Sequence, residues 1–165
     1  MKSRYIIEET NFIFKPNLAG EFRKEDRYPS NTRTCNIIIP DPEQAQEMID
    51  DGLNVRQTTP SENYKENYEP EYFVKAYLKF ASEGSRSNPI INLIDQEGYS
   101  TPLDEHTVGC IDNIRIKRDS VRAVLAPYSG GGGAYPTLYI QTLYVEQDLD
   151  NDPWYGKFPR RPRND

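Results

Sequence analysis

Along Tyr72-Phe73-Val74-Lys75-Ala76-Tyr77-Leu78-Lys79-Phe80 two kinds of side chain alternate. Successive residues of a strand point to opposite faces. Tyr72, Val74, Ala76, Leu78 and Phe80 therefore make one continuous apolar face, and Phe73, Lys75, Tyr77 and Lys79 make the other. Rings interleaved with ammonium groups suit a single-stranded nucleic acid: the rings stack on bases, at about 1–3 kcal/mol each, and the cations meet the phosphates between them. A plain solvent-facing strand also tolerates Lys and Tyr. Two rings on its outer face nevertheless call for something to cover them. Arg115 and Lys117, alternating with Ile114 and Ile116, add outward cations. Tyr128, Tyr135 and Tyr139 are further candidate rings, although periodicity leaves open which face of the last strand looks outward.

Other chemistry finds little support. His106 is the one histidine, and it has no Cys, His or acid constellation beside it in sequence, so no role is assigned to it. Cys35 and Cys110 form no CxxC pair or metal-ligand spacing. Two buried free thiols are expected, with a disulfide between them left open. The run Ser129-Gly130-Gly131-Gly132-Gly133-Ala134 is not a phosphate-binding loop, because no Lys-Ser/Thr follows it and no helix opens after it. It reads as a flexible hairpin connection. No enzyme, cofactor or metal is expected.

The charge balance narrows the binding mode. The chain has 165 residues and a formal net charge of −6, so bulk charge opposes simple counter-ion-driven binding to nucleic acid. A local basic patch would have to override the global sign. Twelve Tyr, six Phe and one Trp make the chain aromatic-rich. No apolar run is long enough for a signal peptide or a membrane span. The expectation is an intracellular, cytoplasmic protein with no membrane partner.

The elements that must position these residues begin with Thr34 to Gln57, which reads strand, helix, strand. Cys35 to Ile39 is the first strand. Asp41 is an N-cap, Pro42 suits the first turn, and Gln44 could complete a capping box. Ala45, Met48 and Ile49 form a short apolar stripe. Gly52 suits the left-handed helix end, and Leu53 to Arg56 is the second strand. Residues Arg4 to Ile13 are strand-like. Lys15 to Arg33 and Gln57 to Pro70 are polar connections, and the first is long enough to be functional or disordered. Pro89 to Asp95 is a short strand. Thr101-Pro102-Leu103-Asp104 repeats the helix-start grammar and predicts a helix to about Asn113. Ile114 to Lys117, Val121 to Tyr128 and Thr137 to Val145 complete the strands.

Strands outnumber helices, and long amphipathic helices are absent. The expected class is mainly β: a small five-stranded or larger OB-like barrel with two short inserted α-helices, and a β-sandwich as the alternative. One domain over residues 1–148 is expected. A mobile tail over residues 149–165 should follow, acidic over Glu146 to Asp152 and then basic over Lys157 to Arg163.

A resemblance rests on order and spacing. Asn17-Leu18-Ala19-Gly20, Pro40-Asp41-Pro42-Glu43-Gln44-Ala45, Asp51-Gly52-Leu53-Asn54-Val55-Arg56, Tyr72-Phe73-Val74-Lys75, Thr101-Pro102-Leu103-Asp104-Glu105 and Asp112-Asn113-Ile114 together resemble a phage and prophage family of single-stranded DNA-binding proteins with an OB-like fold. The similarity runs from about Asn17 to Val145. It implies a non-catalytic protein of DNA replication or recombination, in the cytoplasm of a bacterial host, that partners single-stranded DNA, with phage or host replication and recombination proteins as further candidate partners and homodimerisation left open. Such family members often end in an acidic tail. Here a basic end follows the acids, which counts against tail-mediated recruitment.

In the leading reading Phe73 and Tyr77 stack bases while Lys75, Lys79, Arg115 and Lys117 neutralise phosphates, with Tyr128 and Tyr139 as weaker contributors. The alternative is a protein-binding accessory module, a host-factor inhibitor or DNA mimic, whose acidic surface favours a basic partner.

Overall fold

The computed structural model describes residues 1–59, 69–149, 153, 154 and 157. Nine strands among them form one mixed sheet: β1 Tyr5–Thr10, β2 Phe12–Asn17, β3 Thr34–Ile39, β4 Arg56–Gln57, β5 Tyr72–Tyr77, β6 Ile90–Ile94, β7 Ser100–Leu103, β8 Ile116–Tyr128 and β9 Thr137–Gln147. The main path runs β1-β8-β9-β5-β3-β2. β4 pairs with the start of β5, and β9 pairs in parallel with its end. Past that end, β6 takes over the same edge of β9, from Ile90 opposite Thr142 to Ile94 opposite Glu146. β7 then pairs with β6.

The mainly-β expectation holds, but the barrel is not closed. β1 pairs with β8 and β2 with β3, and no ladder joins β1 to β3. The curl is held at one point, where Ile38 N donates to Asn11 O and Thr10 Oγ1 donates to Ile38 O. The cause is a break in the first strand. Arg4 to Ile13 was expected to run continuously, yet Asn11 separates β1 from β2. Asn11 donates to Asp119 Oδ1 at 2.8 Å and accepts from Asp119 N at 2.9 Å, which anchors the break to a bulge in β8 where Asp119 has φ +58°. The bond from Asp119 N satisfies a backbone donor that a straight ladder would have paired, and the amide–carboxylate bond adds a second tie.

The core lies on one face of this sheet. Ile37, Val74, Ala76, Leu125, Leu143 and Val145 interlock there, all essentially without exposure. Helix α1, Pro42–Asp50, caps it. Asp41 accepts from Glu43 N at 3.0 Å, and Gly52, at φ +86°, follows the helix in the conformation that glycine adopts without strain. Two details differ from expectation. Gln44 does not close a capping box, since its amide donates to Ile6 O and ties the helix to β1. Ile49 is largely exposed, so the buried stripe is Ala45 and Met48; a side chain such as Met48 contributes about 1.5–3 kcal/mol when fully buried.

The second expected α-helix is not one. Thr101-Pro102-Leu103 belongs to β7, where pairing with β6 overrides the helix-start grammar. Asp104 then makes a turn, its Oδ1 accepting from His106 N and Thr107 N, and a 3-10 helix covers Val108–Asn113. These bonds hold the Asp104 carboxyl below its usual range, with the bond from His106 N contributing most. The buried Asp112 carboxylate accepts from Leu18 N at 2.8 Å and Ala19 N at 3.0 Å, fastening the 3-10 helix to the end of β2. Cys35 is buried, as expected, and burial pushes its thiol up; Cys110 is exposed, against the expected burial, and the two are free, not paired. The strand expected over Leu53 to Arg56 shrinks to β4, because Leu53 leaves the sheet to fill the core. Most of the tail expected over residues 149–165 lies outside the described residues.

Candidate nucleic-acid interface

The alternation of β5 survives folding. Val74, Ala76 and Leu78 are buried with the core and Tyr72 and Phe80 pack against it, while Lys75 is exposed and Tyr77 half-buried on the outer face. Register carries that outer face across the sheet. Tyr77 stands opposite Tyr139, and Tyr139 stands opposite Ala126, which puts Tyr128, two residues on, on the same side. The rings touch accordingly: Tyr77 and Tyr139 are 6.3 Å apart between centroids, and Tyr139 and Tyr128 also 6.3 Å, edge on. Tilted and edge-to-face pairs at such separations are favourable, and they hold rings in place without hiding their faces. The uncertain outward face of the last strand is thus the one bearing Tyr139.

At the other end of the row Phe73 behaves differently from the expectation of an open stacking ring. It is 7% exposed, with Phe14 packed edge to face against it at 5.6 Å. Phe14 itself is 66% exposed and has φ +63°, at an irregularity in the β2–β3 register. The bulge turns out a ring that a regular strand would point inward, so the accessible aromatic there is Phe14. Arg56, opposite Phe73 in β4, is exposed on the same side.

Beyond Tyr77 the row leads into a groove. The chain leaves the sheet after β5 and returns at Ile90, and the detour walls a depression of about 830 Å³ over β8 and β9, lined among others by Lys79, Arg86, Ile90, Tyr128, Tyr139 and Gln141. The detour is braced by its own bonds: Ala81 N donates to Asn88 Oδ1 at 2.7 Å, and Asn88 Nδ2 donates to Ser82 O at 3.0 Å. Lys79, expected within the strand, sits just past its end and lines this groove with Tyr128 and Tyr139. Lys75 extends its ammonium over the Tyr77 ring, 5.4 Å from the centroid. Among the described residues none of Arg56, Lys75, Lys79 and Arg86 is ion-paired with an acid, and all four are exposed.

Arg115 and Lys117 are not brought to this site. Lys117 lies at the start of β8, eleven residues from Tyr128, which is roughly 35 Å along a strand. Lys117 is also engaged by Glu146 at 3.4 Å. Arg115 precedes the same strand and accepts, through its carbonyl, from Asp148 N. Tyr135 is exposed in the β8–β9 connection, beside the row but outside its ring contacts. Phe14, Arg56 and Arg86 join this face without having been expected there. Arg56 had a signal, since it alternates with the inward Val55. Phe14 and Arg86 had none, because a bulge and a loop detour place them.

Fold and site together define a class: a mainly-β domain whose open sheet carries a row of touching tyrosine rings edged by exposed cations. No family model matches the chain, and no curated protein matches it in sequence. Solved structures that it resembles include phage single-stranded DNA-binding proteins. The single-stranded DNA-binding protein of bacteriophage Enc34, in complex with ssDNA, is 14% identical with a TM-score of 0.48, over 88% of this chain and 87% of that one. The gp2.5 single-stranded DNA-binding protein encoded by bacteriophage T7 is 16% identical with a TM-score of 0.37, over 97% of this chain and 99% of that one.

Proposed function

We propose that the protein binds single-stranded DNA without catalysis, laying the strand across the outer face of β5, β9 and β8. The observation that carries this reading is the contiguous Tyr77–Tyr139–Tyr128 row leading into a groove that also presents Lys79 and Arg86. A ring row stacks on any base, whereas a duplex hides its base faces; single strands are the matching ligand. Lys75, Lys79, Arg56 and Arg86 take the phosphates, and Phe14 extends the row past Phe73. Single strands are exposed when duplexes open, so we assign the protein to replication or recombination.

Fluorescence anisotropy with labelled oligo-dT, across a salt series and against a duplex of equal length, tests the reading. Binding should weaken as salt rises, with a log–log slope of about −0.7 per phosphate contacted, and the duplex should compete poorly. Absence of binding at low salt, or equal affinity for the duplex, would sink it. The acidic cleft between β1 and α1, lined by Glu8, Asp41, Glu43 and Glu47, favours one second reading, docking of a basic protein partner. Binding of a basic peptide that Glu43→Lys abolishes, with no oligo-dT binding, would select that alternative.

A further inference from the structure

The glycine run between β8 and β9 reads as mere flexibility, but its first glycine is under a specific constraint. A Cβ built on Gly130 would lie 2.6 Å from Cζ of Tyr128 and closer still to its hydroxyl oxygen. Real Cβ atoms do not come so near, so the hydroxyl end of the Tyr128 ring lies against bare backbone at Gly130. Its neighbours differ. A Cβ on Gly131 would meet only Thr137 Oγ1 at 3.7 Å, and one on Gly133 only the Tyr135 carbonyl at 3.8 Å. Gly132 has open space and φ +75°, a conformational need unrelated to any ring.

The Tyr128 ring therefore has two supports: Gly130 at its hydroxyl end and the Tyr139 ring at 6.3 Å, edge on. It is still 55% exposed. A ring fixed from two sides and open on the rest loses little rotamer freedom when a base stacks on it. We infer that Gly130 is a positioning residue for nucleic-acid binding: it seats Tyr128 in the aromatic row, and any side chain there swings the ring out of line. The inference rests on the single-stranded DNA reading proposed above. It turns the hairpin from a passive connection into the support of the row's last ring.

The test compares Gly130→Ala with Gly131→Ala and Gly133→Ala. Oligo-dT affinity should fall about fivefold in Gly130→Ala, the low end of what losing one stacked base costs, and stay within twofold of wild type in the other two. Thermal denaturation should not separate the three. Tyr128→Ala should weaken binding as well, and adding Gly130→Ala to it should cause no further loss, because no ring remains to be displaced. In the free protein, the NOE between the Tyr128 and Tyr139 ring protons should disappear in Gly130→Ala and persist in Gly131→Ala. Equal affinity and an intact NOE in Gly130→Ala would overturn the inference, as would an additive loss in the double variant. Wild type that does not bind oligo-dT would instead overturn the functional reading itself, while the NOE comparison would still report on the seating of the ring.

Discussion

Two depressions on this molecule have opposite chemistry. The groove over β8 and β9 is lined by Lys79, Arg86, Tyr128 and Tyr139. The cleft between β1 and α1, about 580 Å³, is lined by Glu8, Asp41, Glu43 and Glu47. The acids of the second are partly spent on structure. Asp41 caps the helix, and Glu47 holds Lys2 at 2.8 Å, raising the lysine's pKa mainly through that bond. The cations of the groove have no such duty among the described residues. A net charge of −6 therefore says little about where a polyanion could land. Segregated acid repels a strand from one side and leaves the other open, which sharpens orientation at some expense in long-range attraction.

The contrast is broken most severely by removing the middle of the row. Tyr77→Ala with Tyr139→Ala should cost about 2–6 kcal/mol in oligo-dT affinity, two stacked bases' worth, with little loss of stability, because neither ring is fully buried. Phe73→Ala makes the instructive control. Its ring is nearly buried, so the change should lower the melting temperature more than it lowers affinity, by about 3–5 kcal/mol of stability if the site does not collapse. A binding loss from Phe73→Ala as large as that of the tyrosine pair, with stability intact, would contradict the geometry.

Next in size is a change in salt dependence. Lys79→Gln with Arg86→Gln should flatten the log–log salt slope by about 1.4, two phosphate contacts at about 0.7 each. Glu43→Gln with Glu47→Gln, removing the same number of charges from the acidic cleft, should leave the slope unchanged. Lys117→Gln should do the same, since that lysine stands at the far end of β8 against Glu146. A slope that responds equally to all three would mean that the field of the whole protein, not the groove, draws the strand.

How much of this was legible beforehand follows from which interactions are local. The β5 alternation is local, and its core face and outer lysine read correctly from Tyr72 to Lys79. The cap at Asp41 and the stop at Gly52 are local too. Assembly of the row is not. Tyr139 could be given its face only once β9 paired in parallel with β5, a long-range choice that no periodicity encodes. Phe14, not Phe73, is the exposed ring at that end because a bulge turns it outward. Thr101-Pro102-Leu103-Asp104 carries helix-start signals that cap only a turn, since ladder bonds to β6 outweigh propensity worth tenths of a kcal/mol per residue. The open barrel was hidden for the same reason: Asn11 finds its partner at Asp119, 108 positions away.

The smallest effect tests whether the acidic corner is architecture alone. Tyr5, fully buried at the ring, donates its hydroxyl to Asp51 Oδ2 at 2.6 Å and so ties β1 to the end of α1. Tyr5→Phe removes that bond while keeping the packed ring. Asp51 remains partly solvated, so the loss should be about 1.5 kcal/mol, the lower end for a bond to a charged group. The pH dependence has a definite sign. Burial first, then the bond to Asp51, raises the Tyr5 phenol to about 12 from an ordinary 10. A pKa raised on folding means stability that is complete below the unfolded value of about 10 and drains away as pH climbs through 12. Wild type should thus lose stability between those pH values by an amount that Tyr5→Phe does not, as read by denaturant unfolding at stepped pH. Oligo-dT affinity at neutral pH should be the same for both. A change in affinity would show that the acidic corner and the aromatic face are energetically coupled, and the division between them would have to be redrawn.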